Sequence, residues 1–294
     1  MSPLSLPTLL GWVARKRVRK KDLQNRGSYV VSYPKSGTTW LRVMLGKYVQ
    51  LLTGRHEDSP LPLFDQFEDI GPQLPLIQFT HGLLKMTAQT GANLTRENLI
   101  TPYRPYQIVL LVRNIPDVLV SNYWHMKTRG NPPYPDEISE FIRDPIYGVE
   151  KAASFLRLWS EGADMVRKFK LIRYEDLRHK TLEEFKRLLK FWQMPIQEDY
   201  ISQSLAFSEF DNMRKLESDN KQSKRLVYRS SGLPIFGTGD TNKTSESFHV
   251  RKGLVGGYAE YLSEKDIRFL KETMRGKIPK MYGYPDGFWD EDPK

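Results

Sequence analysis

Residues 28–52 read Ser-Tyr-Val-Val-Ser-Tyr-Pro-Lys-Ser-Gly-Thr-Thr-Trp-Leu-Arg-Val-Met-Leu-Gly-Lys-Tyr-Val-Gln-Leu-Leu. The β-branched and aromatic run from Tyr29 to Tyr33 suits a buried strand. Leu41, Leu45, Tyr48, Val49 and Leu52 then recur at helical spacing, which predicts a helix with one apolar face. Between them lies Pro34-Lys35-Ser36-Gly37-Thr38-Thr39, a loop with one ammonium and three hydroxyls. Strand, hydroxyl-rich loop and helix together make an anion cradle. The first N–H groups of the helix lack intrahelical partners, and the positive end of the helix dipole lies behind them. The usual mononucleotide loop has Gly, four residues, then Gly-Lys-Ser/Thr. Here Lys35 precedes Gly37 and no Gly opens the loop. An ordinary turn with Thr as helix cap is the plainer alternative.

Three further strand ends carry reactive groups. Residues 76–82 form a short apolar run ending in Thr80-His81. Residues 107–113, Gln-Ile-Val-Leu-Leu-Val-Arg, are continuously apolar, which marks a central parallel strand buried on both faces. Arg113 closes that run, and Tyr174 closes another at 170–174. Helices are expected over 115–127, 149–169, 181–192, 207–216 and 263–275, with Thr181 and Glu184 in capping-box spacing and Ser263 as a cap. Strands alternating with helices predict an α/β single domain with a central parallel sheet flanked by helices. In such a sheet the carboxyl ends of the strands share one edge, so Lys35, His81, Arg113 and Tyr174 can converge there.

The 294 residues suffice for one large α/β domain, and 39% hydrophobic residues predict a packed core. A net charge of +10 favours anionic partners. The absence of cysteine excludes disulfides, thiolate metal sites and cysteine nucleophiles. No apolar run approaches the ~20 residues of a membrane span, and a cytoplasmic location is the default. Residues 1–26 read as a basic arm, with a cluster from Arg15 to Lys21. It is either a solvated segment or a patch for peripheral contact with an anionic surface. Residues 217–248 are polar and aperiodic, as in a lid-like loop.

Tyr33-Pro34-Lys35-Ser36-Gly37-Thr38-Thr39-Trp40 resembles the 5′-phosphosulfate loop of the cytosolic-type sulfotransferases. The stretch from Arg113 to Ser121 resembles their 3′-phosphate motif, and Arg251-Lys252-Gly253-Leu254-Val255-Gly256 their C-terminal loop. Order and rough spacing agree over residues 28–258. The resemblance implies the P-loop-like sulfotransferase fold, here residues 27–294. The implied reaction moves a sulfuryl group from 3′-phosphoadenosine-5′-phosphosulfate (PAPS) to an acceptor hydroxyl or amine of a small molecule, releasing PAP without a metal.

It also implies roles. Lys35 would stabilise the leaving phosphate, with Ser36, Gly37, Thr38 and Thr39 around it. Arg113, Ser121, Arg251, Lys252 and Gly253 would hold the 3′-phosphate. Trp40, Tyr174 and Phe210 would enclose the adenine, with Ser208 nearby. His81 would be the general base, since a positioned imidazole can take a proton near pH 7. The plainer reading of His81 is a strand-end histidine held by a backbone hydrogen bond. His125 follows Trp124 on the Ser121 helix and offers two readings, an acceptor-pocket residue or, more plainly, a packed helix position.

The departures are specific. Many family members carry Lys two residues before the catalytic His, where this chain has Phe79. A cationic contact to the transferring sulfonate is then missing or supplied elsewhere, with Lys85 one candidate. The dimer motif of many animal members is not recognisable, so oligomeric state does not transfer. These differences imply a distant branch of the family, with a bacterial one among the options. Alternatives stay open: a glycan or peptide acceptor; a nucleotide-dependent kinase, which lacks its loop here; or a basic binding module for nucleic acid or an anionic surface.

Overall fold

The computed structural model describes residues 20–67, 70–82, 84, 89–218 and 253–284. The elements in order are α1 (Lys20–Arg26), β1 (Gly27–Ser32), α2 (Thr38–Leu52), β2 (Leu76–Thr80), α3 (Arg96–Leu99), β3 (Gln107–Val112), α4 (Ile115–Arg129), α5 (Ile138–Arg143), α6 (Val149–Glu161), β4 (Lys168–Arg173), α7 (Tyr174–His179), α8 (Thr181–Phe191), α9 (Glu198–Phe207), α10 (Phe210–Ser218) and α11 (Glu264–Met274). The four strands form one parallel sheet in the order β2-β1-β3-β4.

The sheet is buried on both faces, as the uninterrupted apolar run of β3 requires. Ile108, Leu110 and Val112 point into one core with α4, α6 and α11. Val109 and Leu111 point into the other, with α2, α8 and α9. Register aligns the carboxyl ends. Val31 pairs with Thr80, Ser32 with Leu111, and Val112 with Arg173. The connections leave β1 and β3 in opposite directions, so a crevice opens between the loops that follow them. That topological switch point is where ligands bind in sheets of this kind.

Local chemistry moved some boundaries. The helix expected over 149–169 stops at Glu161, where Gly162 forms the C-cap, and Lys168 already begins β4. The Thr181 box does not form: Lys180 is the N-cap and no side chain caps it. Ser263 does form a reciprocal box with Asp266. The short helices α1, α5, α7 and α9 carry too few turns for the periodicity to stand out. Most of the lid-like stretch, Arg251, Lys252 and Lys85 lie outside the described residues. Among the described residues no helix is long and apolar enough to cross a membrane.

Candidate active site

The loop after β1 turns on two left-handed residues. Lys35 has φ 69° and Gly37 has φ 97°. Gly37 is the N-cap of α2, and no side chain caps this helix. Neither Thr38 nor Thr39 is therefore the cap. Both lie in the first turn and line a cavity of about 480 Å³ at the switch point. Gly37 has a packing reason as well: a Cβ there would lie 2.5 Å from Cδ2 of Tyr174.

The sequence candidates divide by placement. Lys35, Gly37, Thr38, Thr39, Trp40, His81, Arg113, Ser121, Tyr174, Phe210 and Gly253 all line this cavity. Ser36 and Ser208 do not. Ser36 is buried on the far side of the loop, beside Tyr33 and Val112, and its hydroxyl has no hydrogen-bond partner. The Ser208 hydroxyl donates to the Leu205 carbonyl at 3.1 Å. Its own carbonyl accepts from the Trp40 indole N–H at 2.8 Å, so Ser208 orients Trp40 through its backbone.

Arg113 ties three segments together. Its guanidinium donates to the Leu254 carbonyl at 2.9 Å and to the Lys35 carbonyl at 3.4 Å. It lies 4.4 Å from the centre of the Tyr174 ring, and 3.5 Å from an Asp117 carboxylate oxygen. Tyr174 donates its hydroxyl to the Gly253 carbonyl at 3.1 Å. The Asp117 carboxylate accepts from the backbone N–H of Gly256 and Tyr258 at 2.9 and 3.0 Å. Asn114 caps α4 by accepting from Asp117 N–H, and donates its amide to Asp117 and to buried Glu175. Glu175 is thus a structural anchor of the site wall.

Several cavity residues escaped sequence reading: Arg42, Asp117, Asn122, Met126, Arg178 and Met213. His125, more plainly read as a packed helix position, also lines the cavity. A signal existed for some. Asp117, Ser121 and His125 fall at four-residue intervals, one stripe down α4, and Arg113 stands four residues before Asp117, just past the end of β3. Arg42 stands four residues after Thr38, and Arg178 four after Tyr174. The Arg178 guanidinium sits 5.3 Å from the Trp40 ring, against the edge of the aromatic wall.

The electrostatics favour an anion. Lys35, Arg42, Arg113 and Arg178 face one cavity with Asp117, whose carboxylate is already committed to N–H donors. Both cavity histidines are neutral near pH 7. Burial, with the charges of Arg42 and Lys35, pushes the His81 pKa down to about 4, against the opposing pull of the Ser32 carbonyl. Burial, with Lys35 and Arg129, pushes His125 down to about 3. His81 Nδ1 lies 3.1 Å from that carbonyl oxygen. Only a protonated Nδ1 can donate there, so Nε2 is the basic nitrogen. A cationic crevice beside a neutral imidazole suits an anionic ligand with a proton acceptor next to it.

A model of the sulfotransferase domain matches residues 26–285, and the chain belongs to that family. Sulfotransferase 6B1 of Danio rerio is 25% identical over 266 residues, covering 88% of this chain and 81% of that protein. The 3-beta-hydroxysteroid sulfotransferase of Cavia porcellus is 24% identical over 286 residues, 92% of each chain. Among solved structures, mouse sulfotransferase SULT7A1 complexed with PAP superposes with a TM-score of 0.57 at 22% identity, covering 85% of this chain and 84% of that one. The fold is thus the P-loop-like sulfotransferase fold, with four strands described here.

Proposed function

We propose that this chain transfers the sulfuryl group of PAPS to a hydroxyl, or an amine, of a small molecule and releases PAP. The observation that carries this reading is the cavity itself, where four cations and a neutral imidazole meet at the switch point. PAPS supplies a sulfuryl group already activated by its link to a phosphate. Lys35 and the N–H groups opening α2 hold that 5′-phosphate and offset the charge it gains on leaving. Arg113 and Ser121 hold the 3′-phosphate, with Arg251, Lys252 and Gly253 closing over it. Trp40, Tyr174 and Phe210 take the adenine between aromatic faces.

His81 Nε2 removes the acceptor proton as the acceptor oxygen bonds to sulfur. The sulfur–oxygen bond to the 5′-phosphate breaks, and its electron pair stays on PAP. The proton then leaves His81 for solvent. The acceptor side is furnished by Asn122, His125, Met126 and Met213, two polar groups on an apolar wall. That mixture suits a partly apolar alcohol or phenol better than a glycan. The steroid named in the guinea-pig relative is an acceptor of this type.

Thermal denaturation tests the reading. A hundredfold excess of PAP over its Kd, without magnesium, should raise Tm by about 5 °C. AMP and ATP at that concentration should do little. Equal stabilisation by AMP would refute a dedicated 3′-phosphate site.

A further inference from the structure

We propose that Arg42 is the cation that meets the transferring sulfonate in this chain, in place of a lysine at position 79. The proposal rests on the PAPS reading and names a catalytic residue that the sequence motifs do not contain. Three placements carry it.

First, residue 79 sits on a defined face. Phe79 pairs with Val30 in the β1–β2 ladder, and both side chains point into the core under α2. His81 lies two residues further along, so it leaves the chain on the same side. A lysine at 79 would send its ammonium along that face toward the cavity. Phe79 instead ends as a 3% exposed ring and delivers no charge.

Second, Arg42 covers that ring. It leaves α2 one turn after the phosphate-binding threonines, and its guanidinium carbon lies 5.0 Å from the Phe79 ring centre. An aromatic face is a good platform for a guanidinium, which is planar and weakly hydrated. Lysine at 79 and arginine at 42 are thus alternative ways of bringing one cation to one place. Phenylalanine becomes the support rather than the source.

Third, Arg42 opens on the reacting centre. It lines the same cavity as Lys35 and His81 while only 8% exposed. Its charge, with that of Lys35, adds to the burial that depresses His81. The guanidinium thus shares one cavity with the proposed proton acceptor and the phosphate-binding lysine. The sulfonate passes between those two as its bond to the 5′-phosphate oxygen breaks and its bond to the acceptor oxygen forms. Arg42 holds the sulfonate oxygens through both, by charge-assisted hydrogen bonds.

The test compares PAPS with PAP, which differ by the sulfonate alone. Calorimetry on the full chain would measure both Kd values for the wild type, Arg42→Met, Arg42→Gln and the double variant Arg42→Met with Phe79→Lys. Transfer of sulfonate to 2-naphthol supplies a rate. The expected result is that Arg42→Met binds PAP within about twofold of wild type but PAPS about tenfold more weakly. Phe79→Lys in that background should recover most of the lost PAPS affinity and any lost rate. If Arg42→Met fails to fold, Arg42→Gln, which keeps length and polarity, carries the comparison. Equal weakening of PAP and PAPS, or no change in either, would overturn the assignment while leaving the PAPS reading intact. Failure of the wild type to bind either nucleotide would overturn both.

Discussion

His81 Nδ1 approaches Ser32 twice, at 3.1 Å from its carbonyl oxygen and 3.2 Å from its hydroxyl. Ser32 is the last residue of β1, the strand that carries the Lys35 loop. The imidazole is therefore tied to the strand end from which the Lys35 loop departs, and the Ser32 carbonyl fixes which ring nitrogen is basic. The plainer reading of His81, a strand-end histidine held by a backbone hydrogen bond, describes its placement, and that bond leaves Nε2 as the nitrogen that the proposed general-base role uses.

Removing the imidazole should separate chemistry from binding. In His81→Ala the rate of sulfuryl transfer should fall by about 10²- to 10⁴-fold, the usual worth of a positioned general base. The Kd for PAP should stay within about twofold, because the residues proposed to hold the nucleotide are others. Turnover near the wild-type level would make His81 a structural residue only.

The depressed histidines set the acid limit of stability. Folding lowers the pKa of His81 from 6.5 to about 4 and of His125 from 6.5 to about 3. Between those values and 6.5 the unfolded chain binds protons that the folded chain does not, so stability falls as pH falls. Above pH 6.5 neither group contributes a slope. Urea denaturation of the nucleotide-free protein should show a midpoint that declines from pH 6.5 toward pH 4. His81→Asn, which cannot titrate, should flatten part of that decline. PAP places negative charge beside Lys35 and should raise the His81 pKa, while its own phosphates, with second pKa values of about 6, lose protons on meeting the cations. Calorimetry in two buffers of different ionisation heat at pH 5 should therefore show more net proton uptake for the wild type than for His81→Asn, and equal values would contradict the placement.

The sheet was legible because its strands are short apolar runs with reactive residues at their ends. The 107–113 run could be nothing but a central strand, and its alternate faces fill two cores. That Lys35 and Arg113 meet at one cavity was legible for the same reason: each stands just past a strand end. Arg42 and Arg178 were harder. Each is a helical arginine one turn past a motif residue, and only a known helix axis shows that it turns inward. For His125 the sequence left a packed helix position and a pocket residue both open, because spacing alone does not say which side of α4 meets the cavity. In fact α4 faces core on one side and cavity on the other. Asp117 escaped because its partners, the N–H groups of Gly256 and Tyr258, are distant in sequence and carry no side-chain signature.

That distant pairing makes Asp117 the hinge point of a prediction. Its carboxylate holds the turn at 256–258 and sits beside Arg113. Asp117→Asn keeps the shape but loses the charge and at least one acceptor. The C-terminal loop should loosen over the 3′-phosphate, and PAP affinity should drop about tenfold. AMP, which has no 3′-phosphate, should be affected far less. A parallel loss for PAP and AMP would place the effect in general unfolding of the wall.

Gly37 offers the sharpest separation of backbone strain from site shape. Its φ of 97° disfavours any residue with a Cβ, and an added methyl would sit 2.5 Å from the Tyr174 ring. That ring cannot easily retreat. Its hydroxyl is bonded to Gly253, and the Arg113 guanidinium lies over its face. Gly54 supplies the control, since its φ is 60° and nothing lies within 4 Å of a built Cβ. Gly54→Ala should cost only the conformational penalty of about 1–2 kcal/mol and leave PAP binding unchanged. Gly37→Ala should cost more than Gly54→Ala, because strain and overlap add. It should also weaken PAP, since Tyr174 must shift and take Arg113 and Gly253 with it. Denaturant midpoints with PAP titrations on both variants decide the matter. Equal stability losses with unchanged PAP affinity would mean that the loop relaxes without moving the aromatic wall.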